Sequence, residues 1–390
     1  MTLRRARRLL AGVACAFALG VSAPGAGAAA EAAPAAPALA RAIRIGMVNE
    51  TSGANAESGT YQANGARLAV DEINQAGGVL GRPLNIDIED NQSTNPGSVL
   101  ALSKLGGAVA IITSIRSTQT LAIMPRIARA GVPTMVGGTD FTLTHANNPW
   151  IFRARPHDGY SALVIADFGA TTLKKKRWAI VHSTEAFGIG GKDHLIEALK
   201  KFDIKPLLIQ GVNNNTQDYT PAALAVKRAD VDIVAIYLAS PADVGNFALA
   251  LRHAGVDRVL IGSPSMSAIA AMRLGGEALF NSYSISDYVA DANPQALAYA
   301  KKYQARWGLE PDLYSSWAYD AVHILALAMK NAGGTSPDAL RKALLAIHGY
   351  KGVEGGYNYD VNGDGLHGYN VVKNEHGKIV FIKHVAFQPE

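Results

Sequence analysis

Apolar and polar residues alternate along this chain with two periods, one typical of strands and one typical of helices. Residues 43–47 alternate with period two and predict a strand. A Gly/Ser/Asn-rich stretch follows, which we interpret as a long polar loop, and apolar residues then recur at helical spacing over 66–73 until Gly77 and Gly78. Period two returns over 84–88. The segment therefore predicts a βαβ unit whose first loop opens at the carboxyl end of a strand, where parallel sheets bind ligands.

The same alternation continues for most of the chain. Strands are predicted at 108–112, 132–136, 178–182, 207–210, 233–238 and 259–261. Helices are predicted at 118–130, bent at Pro125 and ended by Gly131, and at 294–307, 314–332 and 337–347, before a hairpin-like tail over 356–386. Strands that alternate with helices indicate an α/β fold with parallel sheets covered on both faces.

We predict two doubly wound parallel-sheet lobes joined by a hinge. Residues 43–157 and 289–370 are assigned to the N-terminal lobe, and residues 158–288 and 371–390 to the C-terminal lobe. A chain that crosses between lobes several times at one place forms a hinge, so the lobes could close around a ligand.

The first residues read as an export signal. Residues 1–30 combine four arginines, an apolar stretch and small residues suited to cleavage, and Ala/Pro-rich residues 31–42 predict a mobile linker. We expect a periplasmic protein, with the choice between the general and twin-arginine export routes left open. Cys15, the single cysteine, lies in the signal, so the mature chain should have no disulfide.

Net charge gives no reason to expect a nucleic-acid partner. The chain carries +5, but the signal holds four arginines and no acidic residue, which leaves +1 after cleavage. A value this close to neutral lacks the basic excess that binds nucleic acid.

Two segments could bind an anionic ligand. Ser117 and Thr118 precede a predicted helix, where a hydroxyl either caps the helix or helps its N-terminus to hold a carboxylate. Gly137, Gly138 and Thr139 follow a predicted strand, either as a βα turn or as a loop whose backbone approaches a ligand closely.

Phe187 follows the strand at 178–182 and is interpreted as a wall of a cleft or as part of the core. The glycines after it do not form a phosphate loop, and the chain contains no nucleophile elbow and no metal-ligand spacing. We therefore expect no catalytic residues, no metal, no cofactor and no enzymatic activity.

Nearly the whole mature chain, from Ile43 to about Lys383, resembles the Leu/Ile/Val-binding type of periplasmic solute receptor. The motifs that carry the resemblance are SGANAESG, NGARLAVDEIN, AGVP followed by GGT, FRARPHD, VHSTEAFG and SWAYDAVHILALA. The resemblance implies a type I periplasmic binding protein, expected to be monomeric, that binds an amino acid or related small carboxylate and delivers it to the membrane permease of an ABC importer. A sensory module of the same fold that reports to a signalling partner is the alternative.

The resemblance also implies roles for single residues. The serine that binds the ligand carboxylate falls on Ser117, and the threonine and carbonyl of the next loop fall on Thr139 and near Gly137. The second-lobe aromatic falls on Phe187, and a first-lobe aromatic matches Tyr314 approximately.

This sequence departs from the family pattern where the ligand's ammonium is balanced. An acid is expected near Pro264 or Ser265, and none is present. Either Glu50 or Asp140 replaces it, or the ligand has no amine, because a buried ammonium without a counter-charge is unfavourable. Two further family aromatics are replaced by Ser58 and Ala239, and Arg116 could bind a carboxylate or point to solvent.

Overall fold

A computed structural model describes residues 42–389. The predicted signal at 1–30, Cys15 and nearly all of the predicted linker at 31–42 lie outside these residues. No helix among residues 42–389 is long and apolar enough to cross a membrane.

Strands and helices alternate as the sequence predicts. The strands are β1 Ile43–Asn49, β2 Leu84–Asp90, β3 Ala110–Ile112, β4 Thr134–Val136, β5 Ile151–Arg153, β6 Trp178–Ser183, β7 Leu208–Val212, β8 Ile233–Tyr237, β9 Val259–Gly262, β10 Tyr283–Ser286, β11 His348–Lys351, β12 Gly356–Asn358, β13 Gly368–Glu375 and β14 Lys378–Ala386. The α-helices are α1 Ala56–Gln75, α2 Asn95–Lys104, α3 Ser117–Ala130, α4 Thr142–His145, α5 Asp158–Asp167, α6 Ala186–Lys200, α7 Thr220–Arg228, α8 Pro241–His253, α9 Ile269–Gly275, α10 Pro294–Trp307, α11 Leu313–Ala332 and α12 Pro337–Leu345.

The strands form two larger sheets with the same inner order. The first sheet runs β2-β1-β3-β4-β5 and is parallel throughout. The second runs β7-β6-β8-β9-β10, also parallel. We call the elements around the first sheet lobe 1 and those around the second lobe 2. In each sheet the strand order reverses beside its first strand, and ligands of open parallel sheets bind at this point.

The edge of the second sheet differs from a purely parallel arrangement. β13 pairs antiparallel with β10, and β14 pairs antiparallel with β13. The predicted tail hairpin is therefore present as β13–β14, but residues 356–358 pair with β11 in a separate two-stranded sheet. The lobe boundaries given by the sequence remain a prediction.

The predicted long polar loop after β1 is wrong, because most of it is helical. α1 begins at Ala56, and its polar residues Ser58, Gln62 and Asn64 are buried. Glycines explain the close packing of this polar helix. A Cβ on Gly59 would lie 1.9 Å from the carbonyl oxygen of Glu50. Sequence periodicity missed the first turns of α1 because buried polar and glycine residues carry no apolar signal.

α11 is the buried helix of lobe 1 and packs along α1. Its N-cap Asp312 forms a capping box with Ser315, and Gly333 ends it in a left-handed conformation at φ 61°. Trp317 is fully buried on its inner face. The contact with α1 is closest at Gly65, where a Cβ would lie 1.9 Å from the carbonyl oxygen of Ser315.

We predict that Gly65→Ala destabilises the protein through this contact. An added methyl group would push α1 away from α11, and overpacking of this kind costs about 1–3 kcal/mol. Urea unfolding should show the loss, whereas Gly106→Ala, whose Cβ would meet nothing within 4 Å, should change the unfolding free energy by less than about 0.5 kcal/mol. Equal stability of the Gly65 variant and the parent would contradict this account of the helix packing.

Candidate functional site

A cavity of about 370 Å³ lies where the carboxyl ends of both sheets meet. This volume includes space that is open to solvent. The segments that follow β3, β4 and β5 of the first sheet and β6, β8 and β9 of the second contribute to it, together with the start of α11. The lining residues are Ile115, Arg116, Ser117, Thr139, Arg155, Glu185, Phe187, Ala239, Pro264, Ser265, Leu313 and Tyr314.

The first turn of α3 forms one wall of the cavity. The helix begins at Ser117, with Arg116 as its N-cap and no side-chain cap, so the interpretation of Ser117 and Thr118 as capping residues is wrong. The hydroxyl of Ser117 accepts the backbone N–H of Asp140 at 3.2 Å, which leaves its proton available to a ligand. The first N–H groups of a helix have no partner within the helix, so this turn also offers backbone donors to an anion.

Thr139 lines the cavity, whereas the two glycines before it do not. The carbonyl of Gly137 accepts an N–H of Arg155 at 2.9 Å, and a Cβ at this position would lie 2.5 Å from the Trp317 ring. A Cβ on Gly138 would lie 2.9 Å from the Cα of Ser117. These glycines therefore let the loop pack against α3 and α11, and Thr139 is the residue that faces the opening.

Phe187 lies in the first turn of α6 and lines the cavity from lobe 2. Residues 187–191 belong to α6, because Glu185 caps this helix and its carboxylate accepts the N–H groups of Phe187 and Gly188 at 3.1 and 3.0 Å. Gly191 packs against Tyr237, and a Cβ at this position would lie 2.2 Å from the ring. The close contact explains why a small residue lies at this point of the helix.

Arg116 does not point to solvent, and four of its five donors are used within the protein. Its Nε donates to Glu50 at 3.1 Å, its Nη1 donates to the carbonyl of Ala239, and its Nη2 donates to Asn55 at 3.0 Å. Desolvation would lower the pKa of Arg116, but the charge of the buried Glu50 outweighs it and raises the pKa. Arg116 therefore remains charged and connects lobe 1 to the segment after β8 in lobe 2.

Arg155, which the sequence did not single out, is a buried cation in the cavity wall. It follows β5, and its Nε and Nη2 donate to Asp287, which follows β10. Both side chains are almost fully buried. Desolvation would lower the pKa of Arg155, but the adjacent carboxylate holds it above the ordinary value. The FRARPHD motif contained this residue, and an arginine directly after a strand was the signal that could have identified it.

The remaining wall is apolar or neutral. Tyr314 lies in the first turn of α11, with the guanidinium carbon of Arg116 5.9 Å from its ring centroid. Pro264 and Ser265 line the cavity where the sequence predicts that an acid is missing. The hydroxyl of Ser265 donates to the carbonyl of Leu238 and so belongs to the backbone packing of lobe 2.

Contacts between the lobes hold the cavity closed in this structure. Thr118, which does not line the cavity, donates to Glu185 at 2.8 Å and accepts the N–H of Ala186 at 3.1 Å. At the rim, Arg273 lies 2.7 Å from Glu57. Of the sequence-predicted residues, the cavity thus brings together Arg116, Ser117, Thr139, Phe187 and Tyr314, and the structure places Thr118, Gly137 and Gly138 in supporting positions.

The carboxyl group of Asp158 lies next to the site. This residue begins α5, is fully buried, and donates its backbone N–H to the carbonyl of Thr139 at 2.8 Å. Burial raises the pKa of Asp158 to about 8, with the charge of Asp140 as the second cause. The Asp158 carboxyl is therefore mostly neutral at pH 7.

Within residues 42–389, no group of three or more His, Cys, Asp or Glu side chains is placed to bind a metal ion.

Comparisons with known proteins agree on one family. A family model described as periplasmic binding protein matches residues 42–378. The Leu/Ile/Val-binding protein homolog 1 of Brucella melitensis is 26% identical over 339 residues, which cover 86% of this chain and 91% of that protein.

Solved structures share the fold. The branched-chain amino acid transporter substrate binding protein LivJ of Streptococcus pneumoniae, in complex with isoleucine, superposes with a TM-score of 0.80 at 23% identity and covers 89% of this chain and 100% of its own. An ABC transporter solute binding protein of R. palustris, in complex with benzoate, gives 0.81 at 20% identity, with 88% of this chain and 96% of that chain covered. The predicted fold class is confirmed.

Thr118→Val should favour the open arrangement of the lobes. The change keeps the side-chain size but removes both Thr118 hydrogen bonds to lobe 2, and unpaired polar groups cost about 1–3 kcal/mol. Small-angle scattering of the ligand-free protein should show a larger radius of gyration. Thr171→Val removes a hydroxyl that bonds within its own helical segment, to the carbonyl of Asp167, and is the matched control. Identical radii for the Thr118 variant and the parent would show that the contact does not hold the lobes together.

Asp158→Asn should remove part of the pH dependence of stability. In the unfolded chain the Asp158 carboxyl has its ordinary pKa of 3.8, whereas in the folded protein its pKa is about 8. Between these pH values the folded protein binds a proton that the unfolded chain has lost, so the stability of the folded protein falls as the pH rises. The melting temperature of the Asn variant, relative to the parent, should therefore increase from pH 4 to pH 8. Asp203→Asn, at an exposed position, should show no such trend. A constant difference across this range would rule out a neutral Asp158.

Proposed function

Because the chain belongs to the periplasmic binding protein family, we propose that it is the extracytoplasmic receptor of an ABC importer for a small carboxylated solute. The solute binds between the lobes and leaves chemically unchanged at the membrane permease. The observation that carries this proposal is the cavity itself, since segments at the strand ends of both sheets line the same space.

A carboxylate is the ligand group that the site supports best. The neighbour from Streptococcus pneumoniae holds isoleucine, and the one from R. palustris holds benzoate. The two ligands share a carboxylate and an apolar body. In this chain the first turn of α3, with Ser117 and the nearby Thr139, supplies donors for the carboxylate, while Phe187 and Tyr314 supply apolar surface for the apolar body.

Lobe closure is the step that would commit the solute. Arg116, the N-cap of α3, and Thr118, in its first turn, both bond to lobe 2. The same end of the helix that would bind the carboxylate therefore also carries the closing contacts. A ligand at this helix stabilises the closed state by its differential affinity for it. The permease would then recognise the closed receptor.

Export is part of the same proposal. The signal at residues 1–30 directs the chain across the membrane and is cleaved, and the mature receptor acts as a monomer in the periplasm. Sequencing the N-terminus of the protein recovered from the periplasm tests this processing.

Ser117→Ala should weaken binding without unfolding the protein. A thermal-shift screen of amino acids and organic acids first identifies a carboxylate that stabilises the parent, by about 2.7 kcal/mol at 100 times its Kd. Calorimetry with that compound should then show a loss of about 1.5–3 kcal/mol, which is the usual contribution of a hydrogen bond to a charged group. Ser336→Ala removes an exposed hydroxyl at the N-cap of α12, away from the cavity, and should leave the affinity unchanged. Unchanged affinity in both variants would remove Ser117 from the site.

A further inference from the structure

The charged groups that face the cavity decide which carboxylate fits it, and this inference rests on the proposed function. Three charged residues line the cavity: Arg116, Arg155 and Glu185. A zwitterionic amino acid needs an acceptor for its ammonium as well as donors for its carboxylate. Glu185 is the one lining residue that could supply a negative charge.

Glu185 has no acceptor capacity left for a ligand. Its Oε1 accepts the hydroxyl of Ser183 at 2.8 Å and the N–H of Gly188 at 3.0 Å. Its Oε2 accepts the hydroxyl of Thr118 at 2.8 Å and the N–H of Phe187 at 3.1 Å. A carboxylate offers about four lone-pair sites, and all four are occupied. An ammonium could bind here only by breaking the cap of α6 or the contact between the lobes.

The other acids near the cavity do not line it and are engaged elsewhere. Glu50 accepts from Arg116 through Oε1, and its Oε2 is buried without a partner but does not line the cavity. Asp287 accepts from Arg155, and Asp140 accepts from the backbone and hydroxyl of Thr142. Asp312 caps α11. Asp158 is buried behind Thr139 and is held neutral. No carboxylate among residues 42–389 therefore both lines this cavity and has a free oxygen.

Donors, in contrast, remain available in the cavity wall. Arg155 uses one N–H for Gly137 and two for Asp287, which leaves two of its five donors. The planar guanidinium suits a carboxylate, and the Asp287 pair fixes its orientation. The first turn of α3 adds the hydroxyl of Ser117 and backbone N–H groups.

We propose that the solute is an amine-free monocarboxylate with an apolar body, whose carboxylate lies between the first turn of α3 and the guanidinium of Arg155. Its body contacts the apolar wall formed by Ile115, Phe187, Leu313 and Tyr314. An amino acid of the same shape is rejected because its ammonium would lose water and gain no partner.

Matched pairs of ligands test this proposal on the unmodified mature protein. The pairs are glycine and acetate, leucine and 4-methylpentanoate, and phenylalanine and 3-phenylpropanoate, in which the second compound lacks only the ammonium. Calorimetry should detect binding of the amine-free member of at least one pair, with the amino acid weaker by at least about a hundredfold. Equal or tighter binding of the amino acid overturns the inference and leaves the proposed function standing. Binding of no member of any pair also overturns the inference, and stabilisation by no compound in the thermal-shift screen of amino acids and organic acids overturns the proposed function itself.

A charge placed in the cavity wall should reverse the preference. Ser265 lines the cavity where an acid is missing, so Ser265→Asp provides a counter-charge for an ammonium and repels an amine-free carboxylate. The affinity ratio between the two members of the binding pair should shift toward the amino acid by about tenfold or more. Ser265→Asn has a similar size without the charge and should keep the preference of the parent. A ratio that is the same in the Asp and Asn variants would show that a missing counter-charge does not determine selectivity.

Discussion

The convergence of parallel strand ends is the constraint on which the site depends. Both sheets use the same inner strand order, so each has a reversal point at its carboxyl edge, and the lining residues follow β3, β4 and β5 of one sheet and β6, β8 and β9 of the other. Backbone N–H groups at the starts of the following helices point to this edge. One cavity therefore receives lining residues from both lobes, although no single segment of the chain forms a complete site.

Charge pairing around the cavity divides the polar residues into fixed and available groups. Arg116 uses four of its five donors on Glu50, Asn55, Ser58 and the Ala239 carbonyl of lobe 2, and Glu185 uses its acceptor sites on Thr118, Ser183 and the start of α6, so these two residues join the lobes. Arg155 is only partly used by Asp287 and Gly137. Asp287 orients the guanidinium of Arg155 and compensates the cost of burying its charge. The N–H groups of Arg155 that Asp287 and Gly137 do not use could therefore bind an anion.

The sequence predicted the order and type of most elements, because apolar periodicity reports directly on burial against a sheet. It failed where burial is not apolar. Polar and small residues lie on packed faces in the first turns of α1, with Ser58 and Gln62, and in the glycines after Phe187. Only their tertiary contacts explain these residues, with Glu50 for α1 and with Tyr237 for the glycines. Ser117 was identified from its place before a helix, but the partner of its hydroxyl was not, since the N–H that it accepts comes from Asp140, 23 residues away.

By itself, the sequence determined the α/β class and the family, and it placed Ser117 at the start of a helix, since these depend on local pattern and on motifs contiguous in the chain. Tertiary structure alone decided which charges are free. Arg155 and Asp287 are 132 residues apart, and Thr118 and Glu185 are 67 apart, so no local pattern could show that one pair keeps donors for a ligand while the other uses its hydrogen bonds to join the lobes. Electrostatic selectivity depends on such pairings because the net effect of a buried charge is set by the partner that it meets in the folded chain.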